Sequence, residues 1–137
     1  MDGLKKFSER GYVVKETGNV YFTLEMDETV KWFEEILGWY YEIDERNSNG
    51  KGTYGCVYDL PREFENLHIA PFTGIHLFYG EPKKGVVAFI KVQGIESLYK
   101  FVKNNGWNDI TEIEVQPWGS KMCTTKNPDG YELRFFE

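Results

Sequence analysis

At 137 residues, with 41% hydrophobic and 17% aromatic content, the chain has material for one core and can bury about two thirds of its unfolded surface. Its 22 acidic and 16 basic side chains leave a net charge of −6, a poor match to a phosphate backbone. The basic doublets Lys5-Lys6 and Lys83-Lys84 read as solvated turns, so no nucleic-acid partner is expected. The longest aliphatic and aromatic run, Val86–Ile90, is five residues, against about 20 for a membrane span. The first residues are charged with no apolar stretch after them, so no secretory leader and a cytoplasmic location are expected. Cys56 and Cys123 fall on separate strands and read as reduced thiols of the core or a pocket.

Residues 1–16 stand apart as an N-terminal extension. Leu4–Arg10 has one or two helical turns with Leu4 and Phe7 on one face, and Tyr12-Val13-Val14 is a short strand. Both suit a sheet edge or a second subunit, or else a frayed terminus. Val20–Glu25 is then a strand, and Asp27 stands as N-cap to a helix over Glu28–Leu37. That helix turns Val30, Phe33, Ile36 and Leu37 inward and stops at Gly38. Strands follow at Trp39–Glu45, Thr53–Leu60 and Gly74–Tyr79, with Asn47–Gly52 a flexible turn and Pro61–Phe72 a longer loop bordering a pocket. The second half has a strand at Val86–Val92, a helix at Ile95–Asn104 stopped by Asn105-Gly106, and strands at Ile110–Gln116, Ser120–Lys126 and Tyr131–Phe136.

Set against itself at an offset of 68 residues, the chain repeats: Glu28-Thr29-Val30 meets Glu96-Ser97-Leu98, Phe33 meets Phe101, and Gly38-Trp39 meets Gly106-Trp107. The same offset lays Val20, Phe22 and Leu24 on Ala88, Ile90 and Val92 as core-facing residues. Self-similarity at a fixed spacing is a fold-level signal. It predicts an α+β fold of two βαβββ units, about 17–80 and 84–137, in a single domain over 17–137.

The end of the chain carries Pro117-Trp118-Gly119-Ser120-Lys121 and then Asn127-Pro128-Asp129-Gly130-Tyr131-Glu132-Leu133-Arg134-Phe135. Physically, Asn127–Gly130 is a turn: proline fixes φ, aspartate bonds the backbone ahead, and glycine accepts positive φ. With the internal repeat, this motif resembles the vicinal oxygen chelate superfamily of glyoxalase I, bleomycin-resistance proteins, fosfomycin-resistance enzymes and extradiol dioxygenases. The resemblance covers roughly 17–137 and implies an open, cleft-containing curved mixed sheet and a homodimer, although a chain with two units can also close one cleft alone.

The resemblance also implies four metal-ligand positions on the concave face. The repeat places them at Asn19, His76, Val87 and Arg134. His76 is a good ligand, Asn19 a weak one, and Val87 and Arg134 are none, whereas a facial site needs about three. No metal and no other cofactor is therefore expected. His68, the other histidine, reads as an exposed residue of the Pro61–Phe72 loop.

Period-two alternation puts Glu132, Arg134 and Phe136 on one face of the last strand and Tyr131, Leu133 and Phe135 on the other. By the same rule Asn19, Tyr21, Thr23 and Glu25 share a face, as do Phe89 and Lys91. The concave face then collects Tyr21, His76, Phe78, Phe89, Lys91, Glu132 and Arg134, with Tyr54, Cys56 and Tyr58 continuing it. Such a lining suits an organic ligand. Tyr21, Tyr58, His76, Phe78, Phe89, Lys91 and Arg134 are the candidate ligand-binding residues, and His76 and Glu132 the candidates for acid–base chemistry. A plainer account makes Glu132 and Arg134 a same-face ion pair and His76 a satisfied sheet histidine. Trp39 and Trp107 read as core or hinge packing and Trp118 as a residue of the pocket mouth.

Two functions fit. One is a metal-free protein that binds a small molecule, similar in plan to bleomycin-resistance proteins. The acidic net charge and abundant aromatics suit a flat cation, while Arg134 and Lys91 suit an anionic group. The other is a lyase, isomerase or dioxygenase of the same fold, with an atypical metal site or His76/Glu132 acid–base catalysis.

Overall fold

The computed structural model describes residues 9–11, 19–59 and 74–137. The calls on Leu4–Val14, on the Pro61–Phe72 loop and on His68 lie outside these residues, apart from Glu9–Gly11. The first unit runs β1 (Asn19–Thr23), α1 (Met26–Trp32), a π-helical turn (Phe33–Leu37), β2 (Tyr40–Arg46), β3 (Gly52–Tyr58) and β4 (Gly74–Tyr79). The second runs β5 (Val87–Lys91), α2 (Ile95–Asn104), β6 (Glu114–Val115), β7 (Lys121–Lys126) and β8 (Glu132–Phe136). Each unit makes a four-stranded mixed sheet, in the orders β1-β4-β3-β2 and β5-β8-β7-β6. In both, the first strand lies parallel to the last and the other pairs are antiparallel. Among the described residues no helix is long and apolar enough to cross a membrane.

The helices differ from the expected ones at their starts. α1 opens at Met26 without a side-chain cap, and Asp27 lies inside its first turn, where a carboxylate favours the helix dipole. Two guanidinium N–H groups of Arg46 reach the Asp27 carboxylate at 2.9 and 3.1 Å and hold its carboxyl below the ordinary range. At α2 the N-cap position is Gly94, in the left-handed region at φ 92°, with no side chain to offer. Glu137 supplies the missing acceptors: Gly94 N–H donates to its Oε2 at 2.9 Å and Ile95 N–H to its Oε1 at 3.1 Å.

Gly38 ends the first helix at φ 73°, its N–H donating to the carbonyl of Glu34, with Phe101 packed 3.2 Å from where a Cβ would stand. The stretch from Met26 to Gly38 is one residue longer than its counterpart from Ile95 to Gly106. The π turn absorbs that extra residue, since a wider turn holds one more residue without displacing either end.

Strand Ile110–Gln116 shrinks to Glu114–Val115 and a bridge from Ile110 to Thr125. The Thr111 hydroxyl accepts the Thr124 N–H at 2.9 Å, so a side chain replaces part of the ladder.

The faces of β1 are the reverse of those expected. Tyr21 and Thr23 are buried at 1% and 0%, while Val20 is 43% exposed. The pairing explains it: Tyr21 stands opposite Leu77, and Val20 opposite His76. The offset of 68 holds at the glycines, but on the strands it sets buried Tyr21 against Phe89, which is 60% exposed, so the faces of β1 and β5 are out of step by one residue. A one-residue slip turns every side chain of a strand to the other face.

The helices cover one face of the sheets, and the core lies between. Phe33, Val57, Leu77, Ile95, Val102 and Leu133 are fully buried there. Trp32 and Trp107 meet edge to face at 5.3 Å, and Asn105 Nδ2 donates to the Ile36 carbonyl at 3.2 Å, tying the two helical segments together. Trp39 and Trp107 pack half-buried against this core, whereas Trp118 is 69% exposed.

β1 and β5 share no ladder, so side chains close the seam between the units. Tyr21 and Tyr131 stack at 4.0 Å with planes 9° apart. The Tyr131 hydroxyl accepts the backbone N–H groups of Phe22 at 3.0 Å and Lys83 at 2.9 Å. Burial, with Tyr131 alongside, pushes the Tyr21 phenol well above its ordinary value. Asp129 reaches across from the second unit, taking the hydroxyls of Thr29 at 2.7 Å and Thr23 at 3.1 Å. Its carboxyl is raised by burial, against the lowering effect of those two hydroxyls.

Tyr131→Phe keeps the stack but strands two backbone donors, and is expected to cost about 1–3 kcal/mol in urea unfolding; an unchanged midpoint would show that the hydroxyl contributes nothing at the seam. The Gly94 and Ile95 N–H groups hold the Glu137 carboxyl below its ordinary value of 4.5. A depressed carboxyl stabilises the fold above the unfolded pKa and loses that contribution as pH falls through the folded one. Glu137→Ala is thus expected to melt a few degrees below wild type at neutral pH. The gap should close in acid, as followed by circular dichroism.

Candidate functional site

The helix-free face of both sheets carries the reactive side chains. Ladder partners point the same way, so pairing sets out their rows. Across the first sheet one row is Val20, His76, Cys56 and Glu42, and the next is Phe22, Phe78 and Tyr54. Across the second sheet the rows are Val87, Glu132 and Lys126, then Phe89, Arg134 and Thr124. Lys91 and Phe136 follow as another pair.

In the first sheet three groups meet at one ring. Tyr54 OH lies 3.0 Å and Cys56 Sγ 3.4 Å from His76 Nδ1, and the hydroxyl and sulfur are 3.5 Å apart. The Tyr54 and His76 rings are nearly parallel, 17° apart, and Phe78 packs on Tyr54 at 5.0 Å. Cys123 contrasts with Cys56. It sits on the core face, where burial pushes its thiol up to about 11 and leaves it inert.

In the second sheet Glu132 Oε2 accepts from Arg134 Nε at 3.2 Å and from Nη2 at 3.0 Å. The guanidinium lies over the Phe89 ring at 5.7 Å, with Phe136 beyond. The ion pair is partly open, with the two side chains 39% and 30% exposed, so it orients Arg134 more than it stabilises the fold. Phe89 is 60% exposed.

Of the residues expected at the site, His76, Phe78, Phe89, Lys91, Glu132 and Arg134 share the helix-free face. Tyr58 lies on it too but is buried. Tyr21 does not: it belongs to the core and the seam, for the pairing reason given above. Asn19 is likewise corrected, since the residue beside His76 is Val20. Tyr54 and Cys56, expected merely to extend the surface, lie within hydrogen-bonding distance of His76. The two-residue alternation of β3 against β4 was the signal for this, once pairing is known.

Val20 and Val87 offer no donor atom, Arg134 brings a positive charge, and among the described residues no three His, Cys, Asp or Glu side chains converge. A cleft of about 990 Å³ is lined by Trp39, Leu98 and Phe101 and also by Phe89 and Lys91 of the helix-free face. Phe89, under the Arg134 guanidinium, thus joins the cleft to that face, whereas His76, Glu132 and Arg134 do not line it.

The family model described as bleomycin resistance protein domain matches residues 18–80, the first unit. No curated protein matches the chain. Among solved structures, a glyoxalase-related enzyme from Clostridium phytofermentans is 55% identical, with a TM-score of 0.85 over 94% of this chain and 98% of that one. A member of the glyoxalase/bleomycin resistance protein/dioxygenase superfamily from Sphaerobacter thermophilus is 17% identical, with a TM-score of 0.67 over 91% and 98%. The bleomycin-binding protein from Streptomyces verticillus, complexed with copper(II)-bleomycin, is 15% identical, with a TM-score of 0.63 over 90% and 97%. These last two share the fold. The first shares sequence over nearly its whole length, and the chain belongs to the vicinal oxygen chelate superfamily, the group of glyoxalases, bleomycin-resistance proteins and dioxygenases.

Proposed function

We propose that the protein binds a small organic molecule on the helix-free face without a resident metal, as a homodimer. The observation that carries this reading is the pairing of an aromatic platform with a fixed cation in one sheet, Phe89 under Arg134, and with a hydrogen-bonding imidazole in the other, His76 beside Phe78. Stacking and a charge-assisted hydrogen bond together orient a flat ligand. The valines beside His76 and Glu132 support a metal-independent site. Exposed Tyr40, Tyr41 and Tyr79 support pairing of two chains. The Streptomyces verticillus protein, which is complexed with copper(II)-bleomycin, supports ligand capture as a use of this fold.

A second reading is catalysis, favoured by the contact of Tyr54, Cys56 and His76 and by the description of the Clostridium phytofermentans relative as an enzyme. His76 would then move a proton, and His76→Gln, which keeps a hydrogen-bonding side chain there, would lower turnover far more than affinity.

A native mass spectrum without added metal tests the reading first: one divalent ion per chain would sink it, and an organic adduct would identify the ligand. A panel of aromatic carboxylates screened by titration calorimetry supplies the probe. Arg134→Ala is expected to weaken the best of them about tenfold, or about 1.4 kcal/mol, with no change in melting temperature. If that variant fails to fold, Arg134 is structural and the site assignment fails.

A further inference from the structure

We propose that Lys91 is the charge-selecting residue of the Arg134 site and gives it a preference for a flat ligand bearing a carboxylate over the uncharged amide of the same shape. The inference deepens the binding reading and rests on it for its functional meaning. A guanidinium presents its N–H donors along the edges of one plane. Glu132 Oε2 occupies one edge of Arg134, accepting from Nε at 3.2 Å and from Nη2 at 3.0 Å. The edge between Nη1 and Nη2 meets no acceptor among the described residues. Parallel donors there match the paired oxygens of a carboxylate.

Arg134 supplies that geometry but little net charge, because Glu132 sits against it. The unbalanced charge is that of Lys91. Phe89 stands beside Arg134 and Lys91 beside Phe136, so cations and rings alternate in a square block. The rings of that block meet edge to face at 6.3 Å. Strand spacing and rise set the bases of the two cations about 8 Å apart, at opposite corners. The flexible lysine stem spans much of that distance and carries a point charge toward an oxyanion on the open Arg134 edge. Lys91 is exposed, and among the described residues no carboxylate pairs with it. Lys126, the next cation on this face, stands opposite Glu132, one row farther from Lys91, where a carboxylate already faces it. An amide in place of the carboxylate keeps the ring and a carbonyl acceptor but forfeits the attraction to Lys91.

The test is titration of the full-length ¹⁵N-labelled protein with benzoate and with benzamide, followed in proton–nitrogen correlation spectra at neutral pH and constant ionic strength. Saturable shifts of the Phe89–Lys91 and Arg134–Phe136 amides locate binding at the block. Benzoate is expected to bind there about fivefold more tightly than benzamide, the effect of a single charge near contact distance in an exposed site. Lys91→Gln should bring that ratio close to unity by weakening benzoate alone, and Lys91→Arg should restore it. Lys126→Gln removes the same charge one row away and should leave most of the preference. Equal binding of the two probes in wild type overturns the proposal, and so does a ratio unchanged in a folded Lys91→Gln or lost as fully in Lys126→Gln. Should Lys91→Gln not fold, the Lys91 Nζ resonance of wild type decides: it is expected to move with benzoate and not with benzamide. If neither probe shifts these amides up to its solubility limit, the proposal fails, while an organic adduct of another class would still uphold the binding reading. A resident divalent ion would sink that reading and leave a benzoate preference at Lys91 standing.

Discussion

The architecture depends on one residue that neither sheet can do without. Tyr131 begins β8's approach to the second sheet, yet its ring and hydroxyl serve the first. The hydroxyl accepts an N–H from the unpaired edge of β1 and another from the linker at Lys83. An open edge inside a domain would leave donors without partners. A phenol meets this need without forming a ladder, so the units stay two sheets and the face between them is not filled by a continuous strand pairing. Asp129 completes the tie from the preceding turn. The Pro-Asp-Gly sequence is thus a joint between repeats as much as a hairpin.

On the face that the joint holds open, charge is distributed unevenly. The chain carries −6 overall, yet the second sheet turns Lys91, Lys126 and Arg134 outward beside Glu132. Glu132 holds one side of the guanidinium and Phe89 lies beneath it. The entropy of a long side chain is therefore spent before any ligand arrives. In the first sheet the matching place holds an imidazole in contact with a phenol and a thiol, and Glu42 follows along the same row.

Much of this was legible in the residues. Gly38 and Gly106 announced the helix ends because both take positive φ, and the duplicated pattern gave two units and the class of fold. Side chains on β5 and β8 were placed on the right faces, since Leu133 and Phe135 alternate cleanly with polar neighbours. β1 misled because Val20, Phe22 and Leu24 look more apolar than Tyr21 and Thr23. Burial there is set by what lies opposite, Leu77 and Tyr131, and not by hydrophobicity alone. The partnership of Tyr54 with His76 was hidden for a related reason. Two residues 22 apart in sequence meet through the pairing of β3 with β4, and the register between two strands is not written in either strand alone.

The π-helical turn at Phe33–Leu37 shows how such a duplicate can diverge. A surplus residue in a helix ordinarily rotates everything after it by about 100°. Here the widened turn takes up the surplus, and Gly38 ends its helix in the left-handed region as Gly106 does in the second unit. Each copy is thereby free to change length without dragging its sheet out of alignment. Two walls of common plan can then carry different side chains, an imidazole on one and a guanidinium on the other.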